Sequence, residues 1–199
     1  ALADVEEFRE RARALDCRIT GLHAHLGSGV LDVAHFRETY AALAALAEQF
    51  PAVVRLNLGG GLGVPSRPED QPLDLDALAT ALAEVRRHYP QYRVWMEPGR
   101  YPVAEAGVLL TRVTQVKTKG AHHYVGVDTG MNSLIRPALY DAWHPIVNLT
   151  RLADVADATC TIVGPICESG DVLGSNRRLP RPREGDVLLV AQAGAYGHV

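Results

Sequence analysis

Apolar residues recur at helical spacing in three stretches of the first hundred positions, and each stretch is followed by a short apolar run that ends near glycine. Over residues 1–15 the stripe is Leu2, Val5, Phe8, Ala12 and Leu15, with a helix predicted over 3–15. Over 32–50 it includes Phe36, Tyr40, Leu43 and Phe50, and a third helix is predicted over 74–89. Pro51 and Pro90 close the second and third. The runs between predict strands at 18–26, 53–58 and 93–96, the last read as short and buried. Helix and strand alternating every roughly 30 to 40 residues marks βα units on a parallel sheet. Three such units make an arc, because closure into a barrel takes eight.

After Arg100 the texture changes, and runs rich in valine and threonine predict strands at 108–119, 122–128, 159–163 and 187–192. Glu184-Gly185-Asp186 reads as a turn before the last strand, and 176–183, with Pro180, Pro182 and several arginines, as an exposed loop. The expected organisation is α/β followed by a mostly antiparallel β domain, with the boundary near Ala106 and domains at 1–105 and 106–199.

At 199 residues with 47% hydrophobic positions, the chain can bury a real core in one or two domains. A net charge of −3 without basic runs disfavours nucleic acid or an anionic membrane as partner, leaving small molecules. Cys17, Cys160 and Cys167 are odd in number and lack zinc-type spacing, which points to a reducing, cytoplasmic setting. No stretch resembles a signal peptide or a membrane span. The first residues already carry helical spacing with no initiator methionine, so the chain is expected to begin mid-structure.

Six stretches carry candidate chemistry. Trp95-Met96-Glu97-Pro98-Gly99-Arg100 ends a strand in a carboxylate, a stiff corner and a guanidinium; these could meet one ligand or simply form a loop ion pair. In Gly21-Leu22-His23-Ala24-His25-Leu26-Gly27-Ser28-Gly29, His23 and His25 would share one face of a strand. A third metal ligand at suitable spacing is missing, so no metal site is expected; an imidazole against a ligand ring and a hydrogen-bonded core pair both remain open. Asn57-Leu58-Gly59-Gly60-Gly61-Leu62-Gly63 would leave backbone N–H groups uncovered for a phosphate, or make a tight turn. Arg136 and Tyr140 would lie on one face of a helical turn and could hold a carboxylate, or pack on each other. Cys167 and Glu168, in a glycine-bounded turn with Asp171, suit proton transfer better than packing, unlike Cys160 in its apolar run. Tyr196 stands among small residues beyond the last strand.

Together and in this order, these motifs resemble the diaminopimelate decarboxylases, pyridoxal-phosphate enzymes that pair a (β/α)8 barrel of TIM type with a β domain. The resemblance runs from Gly21 to Gly197. Glu97-Pro98-Gly99-Arg100 would fit several amino-acid decarboxylases. Ile135-Arg136-Pro137-Ala138-Leu139-Tyr140, and glutamate after cysteine in Cys167-Glu168-Ser169-Gly170-Asp171, point to the diaminopimelate branch over ornithine or arginine relatives. The resemblance implies decarboxylation of meso-2,6-diaminopimelate to L-lysine in lysine synthesis. His25 would stack on the pyridoxal 5'-phosphate ring, Ser28, Gly59, Gly60, Gly61 and Tyr196 would surround the phosphate, and Glu97, with Pro98 and Gly99 behind it, would hold the pyridine nitrogen. Arg100, Arg136 and Tyr140 would grip the distal carboxylate and Glu168 the distal ammonium. Cys167, donated across a homodimer interface, would return a proton. Gly29 and Ser66 depart from the usual glutamine and tyrosine.

Such chemistry needs a lysine to anchor the cofactor. Lys117 and Lys119, the two lysines of the chain, fall on a predicted strand of the β domain. The chain therefore resembles a C-terminal portion carrying the last barrel strands and most of the β domain. It would depend on an N-terminal half of the same enzyme, and that parent enzyme could be a single-function decarboxylase or a fusion with an aspartate kinase. The alternatives are a decarboxylase of another basic amino acid and a non-catalytic pyridoxal-phosphate carrier.

Overall fold

Asp32 and Asp74 start two of the helices by accepting hydrogen bonds from Ala34 N and Ala77 N, both at 2.9 Å. These are side-chain caps for otherwise unpaired amides. In the computed structural model, which describes residues 4–120 and 122–197, the elements of the first hundred positions are α1 (Val5–Ala14), β1 (Gly21–His23), α2 (Val33–Ala47), β2 (Arg55–Asn57), α3 (Leu75–His88) and β3 (Arg93–Trp95). Leu2 and Ala3, which belonged to the first predicted stripe and helix, lie outside the described residues. The chain gathers into two units, the first made of Ala1–Val64 with Gln71–Gly99 and the second of Pro65–Asp70 with Arg100–Val199. The domain boundary was expected near Ala106; the change of unit follows Gly99, and the 3-10 turn Ala104–Ala106 lies in the second unit.

In the first unit the three strands are parallel in the order β1-β2-β3, with Leu22, Leu56 and Val94 in register. The apolar stripe predicted for α2 is its buried face: Phe36, Tyr40 and Ala44 are fully buried, and Tyr40 and Ala44 pack with Leu56 and Leu58 beneath them. Each large side chain so buried stabilises by about 1.5–3 kcal/mol. The predicted strands were longer than the three residues each forms, yet backbone pairing continues past them: Ala24 N donates to Asn57 O, Leu58 N to Trp95 O and Glu97 N to Gly59 O, at 2.8–3.0 Å. β3 is not the buried strand expected. Arg93 and Trp95 are exposed, because β3 pairs on one side with β2 and turns only Val94 and Met96 toward the helices. The Trp95 ring is instead covered by the Arg55 guanidinium, 5.5 Å from its centre.

In the second unit the elements are β4 (Leu109–Lys119), β5 (His122–Val127), α4 (Arg136–Tyr140), β6 (Ile146–Asn148), β7 (Ala158–Val163), β8 (Val172–Leu179) and β9 (Val187–Val190). They form a six-stranded sheet among the described residues, ordered β6-β9-β4-β5-β7-β8. The β5–β7 pair is parallel and the other pairs are antiparallel. β4 is long because it serves both halves, pairing with β9 through residues 109–112 and with β5 beyond a bulge at Val113/Gln115. The sheet curls until its edges meet: a Cβ at Gly174 of β8 would stand 2.9 Å from Ile146 Cδ1 of β6. Val113, Val125, Leu134, Ile162, Leu173 and Leu188 fill the inside. The predicted turn at 184–186 holds, with Gly185 at φ 89° and Asp186 tied to Asn148, Arg151 and the Arg183 amide.

The exposed loop expected over 176–183 is corrected. β8 continues to Leu179, and Arg177 is only 6% exposed, its guanidinium 4.1 Å from the centre of the Trp143 ring. Desolvation lowers its pKa to about 10, the neighbouring charge of Arg67 acting in the same direction. β6 and β8 were not foreseen as elements.

Candidate functional site

In the first unit, the site residues lie where the three parallel strands end, on the side where such sheets bind ligands. β1 ends at His23, so His25 is beyond the strand and does not share a strand face with it, as the alternation had suggested. His23 Nε2 lies 3.6 Å from Glu97 Oε2, whereas His25 Nδ1 accepts from Gly60 N at 3.1 Å. Asn57, at the end of β2, donates through Nδ2 to Glu97 Oε1 at 2.7 Å and accepts from Gly59 N at 2.9 Å. The Glu97 side chain is therefore aimed by a neighbour the sequence reading overlooked, although Asn57 opens the glycine motif. Ser28 is exposed in the loop after β1 and is engaged in contacts of its own.

The three glycines do two things. A Cβ at Gly60 would fall on the Glu97 carbonyl oxygen, and one at Gly61 on the Gly27 carbonyl oxygen. Only glycine lets the strand ends approach so closely, and φ of 66° and 92° at Gly59 and Gly61 adds the backbone reason. The reading of three uncovered amides is corrected in part. Gly59 N donates to Asn57 Oδ1 and Gly60 N to His25 Nδ1, since a buried amide takes the nearest acceptor the chain supplies.

In the second unit, α4 is the single helical turn predicted around Arg136 and Tyr140, with Pro137 in its first turn. Arg136 is half-buried, and desolvation together with the charge of Arg100 lowers its pKa. Arg100 stacks on the Tyr196 ring with Cζ 5.0 Å from the ring centre, and Tyr196 sits at φ 54°. Behind Arg136 stands His144, wholly buried, with Nε2 3.0 Å from Arg136 Nη1 and Nδ1 3.0 Å from the Ala191 carbonyl oxygen. His144 was missed; its one sequence signal is a polar residue beside the apolar start of β6.

Cys167 and Glu168 occupy the loop from Gly164 to Asp171, and both are exposed. Glu168 Oε1 accepts from Gly170 N at 3.0 Å and Ser169 Oγ at 3.2 Å, and these bonds hold its pKa below the usual carboxylate value. Asp171, 3% exposed, fixes the loop: Oδ2 accepts from Ile166 N at 2.9 Å and Oδ1 from Met131 N at 2.7 Å. A Cβ at Gly130 or Gly164 would fall on that carboxylate. Cys160, by contrast, is 3% exposed in β7, and burial pushes its thiol pKa up. Lys117 and Lys119 are exposed on β4.

The sequence profile of the family described as pyridoxal-dependent decarboxylase, C-terminal sheet domain, matches residues 12–194. The diaminopimelate decarboxylase of Aquifex aeolicus is 38% identical over 96% of this chain and 46% of its own length. That of Neisseria meningitidis serogroup A is 41% identical over 99% of this chain and 49% of its own. A crystal structure of diaminopimelate decarboxylase from M. jannaschii in complex with L-lysine superposes with a TM-score of 0.83 at 34% identity, covering 96% of this chain and 46% of that one. The chain thus spans about half the length of the curated relatives it matches. A profile match across most of the sequence, over a three-strand βα arc and a curled β sheet, establishes that the chain belongs to the pyridoxal-dependent decarboxylases.

Proposed function

We propose that this chain is the portion of a diaminopimelate decarboxylase that receives the cofactor ring and the distal end of the substrate, converting meso-2,6-diaminopimelate to L-lysine and carbon dioxide. The observation that carries the reading is the Glu97 carboxylate, held through Oε1 by Asn57 at 2.7 Å beside the His25–Gly60 pair. A carboxylate oriented in this way is an acceptor for a protonated pyridine nitrogen, and an imidazole, a hydroxyl and glycine backbone within the same unit suit a phosphorylated aromatic ring. The donor set therefore fits pyridoxal 5'-phosphate. The first unit itself contributes no lysine, the chain's two being Lys117 and Lys119 on β4. In this reading the anchoring lysine would come from an N-terminal half of the same enzyme.

Bound pyridoxal phosphate supplies an electron sink for the pair released with carbon dioxide. With the cofactor bound, Glu97 would hold the protonated ring nitrogen, His25 would lie against the ring, and Ser28, Gly61 and Tyr196 would hold the phosphate, with Gly59 and Gly60 shaping the floor. Arg100, Arg136 and Tyr140 bind the distal carboxylate, and ionised Glu168 binds the distal ammonium. Cys167 returns a proton at the α-carbon, reaching the site from the second subunit of a homodimer. The product agrees with the L-lysine bound to the M. jannaschii relative. The cysteine usage suits a reducing cytoplasm, and no described helix is long and apolar enough to cross a membrane.

The test is turnover. The chain alone, given pyridoxal phosphate and borohydride, is expected to show no specific lysine labelling and no carbon dioxide release. The longer polypeptide that includes the anchoring lysine is expected to release carbon dioxide from meso-diaminopimelate, and Arg136→Ala should raise its KM about tenfold or more. Equal preference for lysine or ornithine over diaminopimelate would defeat the substrate assignment.

A further inference from the structure

The hydrogen bonds of His144 admit one protonation state. A guanidinium only donates, so the 3.0 Å contact between Arg136 Nη1 and His144 Nε2 requires a lone pair on Nε2. The Ala191 carbonyl only accepts, so the 3.0 Å contact at Nδ1 requires the proton there. Both ring nitrogens are satisfied by the neutral Nδ1–H tautomer and by no other form. The ring is 0% exposed, so water cannot substitute for either partner.

The charged groups acting on this ring from the elements around it are Arg136 on α4, Arg177 on β8 and Arg100, all cations. Burial first, and these cations after it, lower the pKa of His144, against the Ala191 bond that raises it. An imidazolium here would turn a second N–H toward the Arg136 guanidinium, with no exposure of the ring to water. The neutral ring does the reverse. It occupies Nη1 and leaves the other edge of the guanidinium to form a two-point contact with a carboxylate.

We infer that His144 is the positioning residue for Arg136: it holds the guanidinium in its carboxylate-binding orientation through Nε2 while Ala191 fixes its own tautomer through Nδ1, so that protonating His144 releases the grip on the distal carboxylate. This rests on the reading of Arg136 as a carboxylate ligand. It adds a residue that touches neither cofactor nor substrate and that makes affinity for the dicarboxylate substrate pH-dependent.

The experiment measures kcat and KM for meso-diaminopimelate from pH 5.5 to 8 in the pyridoxal-phosphate-loaded protein bearing the anchoring lysine. Wild type, His144→Leu, His144→Gln and Arg136→Ala are compared. His144→Leu is expected to raise KM about tenfold with kcat within about threefold. Glutamine can accept from Arg136 and donate to Ala191 but cannot be protonated, so His144→Gln is expected to restore KM at neutral pH and to flatten its rise below pH 6.5. A second measurement needs no variant: long-range proton–nitrogen spectra of histidine-labelled protein should show the Nδ1–H tautomer titrating below 6.5. An Nε2–H tautomer, or a His144→Gln profile that rises as the wild type does, overturns the inference. Raised KM in Arg136→Ala with unchanged KM in His144→Leu overturns it alone. Unchanged KM in Arg136→Ala removes the substrate reading and this inference with it.

Discussion

Asn57 and Glu97 are forty positions apart, and their side chains meet at 2.7 Å, Nδ2 donating to Oε1 where β2 and β3 end. The same Asn57 accepts from Gly59 N, so one amide side chain connects the carboxylate to the glycine loop. Replacing it with leucine removes a hydrogen bond to a charged group, about 1.5–3 kcal/mol. Asn57→Leu is therefore expected to lower kcat of the loaded enzyme about 10–100-fold with the fold intact. Circular dichroism and steady-state kinetics on the same preparation check it.

The glycines separate by cause. At Gly60 an added Cβ meets the Glu97 carbonyl oxygen, whereas at Gly29, with φ 79°, nothing lies within 4 Å. Gly60→Ala should cost about 1–3 kcal/mol from overpacking. Gly29→Ala carries only the left-handed backbone penalty, about 1–2 kcal/mol, and leaves the strand ends in place. Cofactor affinity should follow the first and not the second, as equilibrium dialysis with pyridoxal phosphate would show.

Asp171 uses one carboxylate to join two loops, that of Met131 and that of Cys167. Asp171→Asn replaces one acceptor oxygen with a donor facing an amide N–H. A loss of about 1–3 kcal/mol in urea unfolding is expected. Faster reaction of Cys167 with a thiol reagent should accompany it, because the loop is then untethered.

Tyr40 is fully buried on α2, and its hydroxyl has no hydrogen-bond partner among the described residues; desolvation raises its pKa. Tyr40→Phe removes an unsatisfied polar group and keeps the ring. Stability should be unchanged or raised by up to about 1 kcal/mol, read from the urea midpoint.

Acid should weaken the fold through His144. Its folded pKa is lowered from 6.5, so between the two values the unfolded chain binds the proton and the folded chain does not. The contribution is complete above pH 6.5 and is lost as pH falls through the folded value. Comparing urea midpoints at pH 7.5 and 5.5, wild type should lose more stability than His144→Gln, whose side chain does not titrate.

The helices of the first unit were legible because burial on one side imposes a 3.6-residue period that needs no knowledge of the partner surface: Phe36, Tyr40 and Leu43 are where the stripe puts them. β3 misled because an apolar run does not tell whether one face of a strand is covered or two, and Trp95 is 53% exposed beside Arg55. β8 misled because its arginines read as solvent-facing. The Trp143 ring accepts Arg177, and that stacking depends on residues 34 positions apart.

The candidate chemistry followed the same division. Glu97, Arg136, Cys167 and Glu168 stand in motifs whose residue types announce proton, anion and cation handling wherever the chain runs. Asn57, Asp171 and His144 announce nothing in line, since each acts by filling the hydrogen-bonding demand of a group brought to it from another segment.

Local order along the chain determined the βα alternation, the switch to β structure, the caps at Asp32 and Asp74 and the family, because these depend on neighbours a few residues apart. Tertiary structure alone decided which amides were already taken, which carboxylate was aimed and which arginine was held. Apart from the local Gly59–Asn57 bond, those are pairings across 8 to 47 positions, and a hydrogen bond exists only when folding has brought donor and acceptor within about 3 Å.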